Sequence, residues 1–395
     1  MSASWRPQTK LVHGGVGRSP HGETSEALFL TSGFCYQRAE DAEARFAETQ
    51  EGYTYSRVGN PTVRMLEERM ALLEGSEDCA ATASGMAAVH AALMCRLRLG
   101  MRVVAPALLF GSCHWILTQL CPRFGIEVEL VDGKDLAAWE RALGRPTDLV
   151  FLESPGNPTM ELVDIAAVAA LAHRAGAQVI VDNVFATPLL QQPLELGADM
   201  VVYSATKHID GQGRCLGGLI CCDRAFRKTV LQPYLRNTGP GISPFNAWVL
   251  LKGLETLPLR VRAMTEAAAR IARWLEADLR VEHVLYPGLE SFPQAELARR
   301  QMTGGGSLVA FRVGGGRPEA FAVLNRLGLI GISNNLGDAK SLMTHPASTT
   351  HSKIAAEERV AVGITEDLLR LSVGLEDPED LIADLNQALG AGSGS

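Results

Sequence analysis

Five short apolar runs recur along the middle of this chain: RVVAP at 102–106, VELVD at 128–132, LVFLES at 149–154, QVIVD at 178–182 and MVVYS at 200–204. Each is the length of a buried strand rather than of a helix, and helical segments separate them. Strands that alternate with helices pair side by side through crossovers, which builds a parallel sheet with helices packed on its faces. The sequence therefore predicts an α/β protein, with helices expected at 63–73 and 86–97 ahead of the strands.

The rest of the chain divides around this region. Residues 1–61 are polar and glycine-rich, with few periodic segments, and read as an arm laid on a neighbouring subunit. Residues 62–257 hold the alternating pattern. Residues 258–395 begin with an amphipathic helix expected at 260–279 and continue with the strands SLVAFRV and LLRLSVGL, a second and smaller α/β domain; the terminal GAGSGS reads as a flexible tail. At 395 residues and 47% hydrophobic composition the chain can bury cores for two or three domains. A net charge of −7 argues against a broad nucleic-acid or anionic-membrane footprint, which leaves small molecules and copies of itself as partners. The opening MSASWRPQTK has no hydrophobic signal core and no segment is apolar over a membrane's width, so the expectation is a cytoplasmic protein. The 8 cysteines show neither CxxC pairs nor metal-ligand spacing, and are expected to be reduced, mostly buried thiols with no metal site.

Chemistry concentrates where strands end. In DMVVYSATKHIDGQGRCLGG, Lys207 follows an apolar strand and precedes a run of glycines; a solvated loop lysine is the plainer reading. One strand earlier, QVIVDNVF ends in Asp182, which a salt bridge or a helix cap would also explain. Together, a lysine and an acid on adjacent strand ends are what pyridoxal phosphate requires: one to bond its aldehyde carbon, the other to keep the pyridine nitrogen protonated. For the phosphate, TASGMAAVHAALM places Ser84 and Gly85 at a helix start, where main-chain N–H groups point outward, and Ser204 and Thr206 offer hydroxyls beside the lysine. Tyr55 and Arg57 in EGYTYSRVGNPT lie on the arm and could bring a cation across an interface, or form a surface turn closed by Gly-Asn-Pro. Arg370 interrupts the apolar strand of DLLRLSVGLED. A guanidinium there needs an anion, either a substrate carboxylate or an internal acid.

YSRVGNPT, ASGM, ESPGNPT, VDNVF, YSATKHIDG, GLETLPLR, HPASTTH and LRLSVGLED, in this order from about residue 9 to 389, resemble the Cys/Met metabolism family of pyridoxal-phosphate enzymes. The resemblance implies an aspartate-aminotransferase-like (fold type I) architecture: a mostly parallel central sheet in a cofactor-binding domain, 62–257, and a smaller C-terminal α/β domain. It implies Lys207 as the cofactor lysine and Asp182 as the pyridine partner. Gly85, Met86, Ser204 and Thr206 would hold the phosphate, with Tyr55 and Arg57 from the adjacent subunit of a homotetramer. Phe110 would stack on the ring, Asn157 would approach the ring oxygen, and Arg370, with Asn335 nearby, would take the substrate carboxylate.

Within the family, LFLTSGFCY, LLFGSCHW, GQGRCLGG and NNLGDAKSLMTHPASTTH are most similar to the sulfhydrylases, and more to those using O-succinylhomoserine than to those using the O-acetyl ester. That implies a γ-replacement joining O-succinylhomoserine and sulfide into homocysteine, as in methionine biosynthesis; an O-acetylhomoserine sulfhydrylase and a cystathionine γ-synthase are the alternatives. Three positions depart from the family pattern: Phe110 for a common tyrosine, Asn335 for serine and Val184 for threonine. Without a hydroxyl at 110, Tyr55 becomes the candidate to assist proton movement. Arg57 and Arg236 are candidates for the distal succinyl carboxylate. Two rivals from other classes remain. Tyr203 and Lys207 spell the YxxxK of short-chain dehydrogenases, but on a strand and turn instead of a helix and without a preceding dinucleotide fingerprint. A non-catalytic oligomeric binding protein on the same fold is the other.

Overall fold

The computed structural model describes residues 5–390; the first four residues of MSASWRPQTK and all but the first residue of the GAGSGS tail lie outside the described residues. In chain order the strands are β1 (Asp78–Thr82), β2 (Arg102–Pro106), β3 (Glu127–Val131), β4 (Leu149–Glu153), β5 (Gln178–Asp182), β6 (Met200–Ser204), β7 (Gly218–Cys222), β8 (His283–Leu285), β9 (Leu308–Arg312), β10 (Gly331–Ile332), β11 (Leu342–Thr344) and β12 (Leu368–Ser372). All five expected central strands are β2 to β6, within a residue at each end.

The residues pack as two compact units. One comprises Met1–Arg96, Met200–Asp210 and Arg214–Thr256; the other comprises Leu97–Asp199, Gly211–Gly213 and Leu257–Ser395. Both are discontinuous in sequence, unlike the consecutive segments 1–61, 62–257 and 258–395. In the first unit β7 pairs antiparallel with β1 on one side and β6 on the other. Sequence patterning did not bring out β1 and β7. DCAAT has a single β-branched residue, Thr82, and GLICC opens on glycine, yet both strands are buried along their length. Gly218 is required there, because a Cβ would lie 2.1 Å from the Ser84 carbonyl oxygen.

The same unit contains the helix Pro61–Glu74. Asn60 caps it by accepting from the Thr62 N–H, Pro61 fits the first turn, and Gly75 ends it in the left-handed region at φ 79°. Part of the expected arm packs on this helix: Leu11 is fully buried, and buried Arg69 binds the Gly14 carbonyl at 2.9 Å and ion-pairs with Glu26. Ala39–Phe46, by contrast, is a helix with no buried residue.

In the second unit β5, β4, β2 and β3 form a parallel ladder in that order, and a five-stranded sheet runs β10-β11-β12-β9-β8. Its ladders are antiparallel except β10–β11. The helix expected at 260–279 is longer, Pro244–Ala277, and runs through Pro258. An internal proline costs about 3 kcal/mol. The apolar period continues across it, with Leu250, Leu254, Leu257, Met264, Ala268, Ile271 and Leu275 fully buried. At about 1.5–3 kcal/mol for each large side chain, burial outweighs the proline. No helix among the described residues is long and apolar enough to cross a membrane. The cysteines are all free thiols, five of them buried.

Candidate active site

The expected site residues fall in both units, and each group has its own geometry. In the first unit β6 ends at Ser204 and the chain turns at once, with Lys207 half-buried in the turn. The turn is held by the Lys207 N–H on the Ser204 carbonyl (3.2 Å), the Asp210 N–H on the Ala205 carbonyl (2.9 Å) and a buried Asp210 carboxylate that takes both the main-chain N–H and the Nε of Arg214. Ser84 caps the helix Gly85–Met94 by accepting from Ala87 N–H at 3.1 Å. A Cβ on Gly85 would sit 2.6 Å from the Ser204 Cβ and 2.8 Å from its Oγ. Glycine at 85 therefore lets the helix start, with Met86 next, close onto the Ser204 hydroxyl. Main-chain N–H groups that no helical carbonyl can reach, beside a hydroxyl donor, form an anion cradle.

Thr206 differs from expectation in its hydrogen bonding. Its hydroxyl accepts from the Gly217 N–H at 3.1 Å and donates to the Gly217 carbonyl at 3.3 Å, so it must rotate before it can donate to a ligand. Tyr55 and Arg57 lie together at the surface, the guanidinium 5.6 Å from the ring centre. Arg57 donates to the Arg236 carbonyl, and Arg236 pairs with Glu48 at 3.2 Å.

In the second unit Asp182 ends β5 and faces Glu153, which ends β4, across the parallel pair. Asp182 Oδ1 accepts from Val184 N–H at 3.1 Å. Glu153 accepts from the N–H groups of Phe110 and Asn157, both at 2.8 Å. Burial pushes both carboxyls above the ordinary range, and the nearby Asp182 raises Glu153 further. Asn157, 4% exposed, turns its Oδ1 to Arg370 Nη1 at 2.6 Å.

Arg370 is 1% exposed, and its partners are neutral: Asn157 and the main-chain carbonyls of Asn334 (2.9 Å) and Asn335 (3.4 Å). Its Nε has no partner, and no acid pairs with it among the described residues. Burial lowers it to about 10, so the guanidinium stays charged at neutral pH. Among the described residues Arg370 makes no internal salt bridge, the alternative left open by the sequence; a buried cation with an unused donor is set up for an incoming anion. Asn335 meets Arg370 through its main chain.

Three participants escaped the sequence reading. Glu153 carried a signal, since the apolar run of LVFLES closes on an acid, just as QVIVD does. Asn334 acts through a carbonyl that no side-chain pattern reports. His351, the last residue of HPASTTH, is 1% exposed, shares a hydrogen bond with the Thr350 hydroxyl at 2.8 Å, and is pushed down to about 4 by burial first and by the charge of Arg370 second. It is neutral at physiological pH.

These residues fit pyridoxal phosphate. The lack of a Cβ at Gly85 lets the helix start and the Ser204 hydroxyl close into one set of donors, Lys207 lies in the same unit, and Asp182 ends a strand as an acid. Residues 8–390 match the family described as Cys/Met metabolism PLP-dependent enzyme. An O-succinylhomoserine sulfhydrylase of Mycobacterium tuberculosis is 54% identical over 382 residues, 96% of this chain and 94% of its own. An L-methionine gamma-lyase of Porphyromonas gingivalis is 42% identical over 383 residues, 96% of each. Among solved structures, an O-acetylhomoserine (thiol)-lyase-type protein of Campylobacter jejuni, bearing a pyridoxyl-lysine monophosphate, superposes with a TM-score of 0.94 at 31% identity, covering 98% of this chain and 100% of its own. The fold is the fold type I architecture expected, the cofactor is pyridoxal phosphate and the substrates are small molecules: this chain belongs to the Cys/Met metabolism family of PLP-dependent enzymes.

Proposed function

We propose that the protein catalyses a γ-replacement in which O-succinyl-L-homoserine and hydrogen sulfide give L-homocysteine and succinate. The observation that carries the amino-acid substrate is Arg370, a buried guanidinium with neutral partners and an unused Nε, suited to grip an α-carboxylate. The succinyl ester and sulfide rest on the 54% identity with a sulfhydrylase of that name. The 42% identity with a methionine γ-lyase supports a second reading, γ-elimination.

Bound pyridoxal phosphate supplies the electron sink that makes the substrate's Cα and then Cβ protons acidic. Gly85 and Met86 would offer N–H groups, and Ser204 and Thr206 hydroxyls, to its phosphate, joined by Arg57 and Tyr55 from a neighbouring copy of the chain. Asp182 would keep the ring nitrogen protonated, and Phe110 and Asn157 would hold the ring. Lys207 Nζ is the general base. It moves the Cα and Cβ protons that must leave before succinate departs from Cγ, and returns them after hydrosulfide has added at that carbon. Tyr55 assists this proton movement.

The test offers O-succinyl-, O-acetyl- and O-phosphohomoserine with either sulfide or cysteine and compares kcat/KM. O-Succinylhomoserine with sulfide should give the highest value and yield homocysteine. A preference for cysteine would make the protein a cystathionine γ-synthase, and a preference for the acetyl ester would move it to the other sulfhydrylases. Release of 2-oxobutyrate and ammonia whatever the nucleophile would favour elimination.

A further inference from the structure

Glu153 has no role in the scheme above, yet it bonds the main chain of two residues that have one, Phe110 and Asn157. It is 5% exposed, ends β4 and stands opposite Asp182. Its two oxygens are divided between two amides: Oε2 takes the Phe110 N–H and Oε1 the Asn157 N–H, each at 2.8 Å. Phe110 begins the helix Gly111–Trp115, and Asn157 holds Arg370 through its side chain. The charged or titratable groups around the carboxylate are Asp182 on β5, Arg370 on β12 and the buried thiol of Cys113 on that helix.

Burying a carboxylate without a salt-bridge partner costs several kcal/mol unless its lone pairs are used. Packing alone does not call for an acid here. A glutamine of the same shape has one acceptor, and would turn a donor toward the second amide; only a carboxylate accepts from both.

We propose that Glu153 is a positioning residue: its two oxygens fix the main chain at Phe110 and Asn157 and, through Asn157, the direction in which Arg370 presents its guanidinium. The inference rests on the carboxylate-binding role proposed for Arg370.

The test uses wild-type holoenzyme, Glu153→Gln and Glu153→Asp, all loaded with pyridoxal phosphate. Glu153→Gln should keep the bound cofactor's visible absorption but raise KM for the amino-acid substrate by about tenfold, as expected for loosening one hydrogen bond to a charged group, with a much smaller change in kcat. Glu153→Asp keeps both acceptor oxygens and shortens the reach, so its KM should rise as well. A wild-type KM in Glu153→Gln, with or without a lower Tm, would reduce Glu153 to packing and overturn the proposal. If Glu153→Gln does not fold, a wild-type KM in Glu153→Asp overturns it equally. A wild-type protein that binds no cofactor, or an Arg370→Ala protein whose KM is unchanged, would instead sink the functional reading on which the inference stands.

Discussion

Arg370 is the residue whose sequence context and structure bear most directly on what the enzyme binds. A guanidinium in an apolar strand announced that an anion was needed, and the structure supplies Asn157 and two carbonyls in place of an acid. Arg370→Ala should therefore cost the bound substrate its charge-assisted partner, raising KM for the amino acid by roughly a hundredfold, the 2–5 kcal/mol range of truncated buried charge pairs. Lysine at the same position should recover little, because it lacks the planar fork. His351 makes a prediction about pH. Its pKa falls from an ordinary 6.5 to about 4, so between those values the unfolded chain binds more protons than the folded one. Stability contributed by the neutral ring is then present above about pH 6.5 and lost as pH falls toward 4, amounting to about 3 kcal/mol. Urea titrations of the apoprotein at pH 4.5 and 7 should show this loss in the wild type and a smaller one in His351→Gln.

At the scale of elements, the central strands were legible because each is a compact apolar run of one period, and Lys207 and Asp182 because they close two such runs. The strands β1 and β7 were not, since β1 is built mostly of small residues, β7 opens on glycine, and their pairing is decided by contacts distant in sequence: Gly218 has to lie against the Ser84 carbonyl for the ladder to form. Gly218→Ala should lower stability by about 1–3 kcal/mol, the cost of forcing atoms into a filled space, measured as a reduced Tm with secondary structure retained. The start of the helix Pro244–Ala277 was hidden by Pro258, where a local rule against internal proline conflicts with an uninterrupted buried stripe. Glu153 stood in plain view at the end of LVFLES. Its importance arises from two main-chain amides whose directions depend on the folded loops, and side-chain patterns carry no record of them.

For the molecule as a whole, the number of chains that complete one site decides where Tyr55 and Arg57 act. Tyr55 and Arg57 lie at the surface of the chain that carries them, and Ala39–Phe46 buries nothing in that chain. If neighbouring copies lend these residues, Lys207→Ala and Arg57→Ala chains, each inactive alone, should regain activity when mixed oligomers form, because one class of hybrid site is intact. Mixed oligomers without activity would assign Tyr55 and Arg57 to their own chain. Lys207 is proposed as the residue that binds pyridoxal phosphate. Borohydride reduction of the holoenzyme followed by peptide mass spectrometry tests this directly. A phosphopyridoxyl group is expected on the Lys207 peptide, with the visible absorption and nearly all turnover lost in Lys207→Ala. A label on any other lysine, or none on a protein that still turns over O-succinylhomoserine, would contradict it.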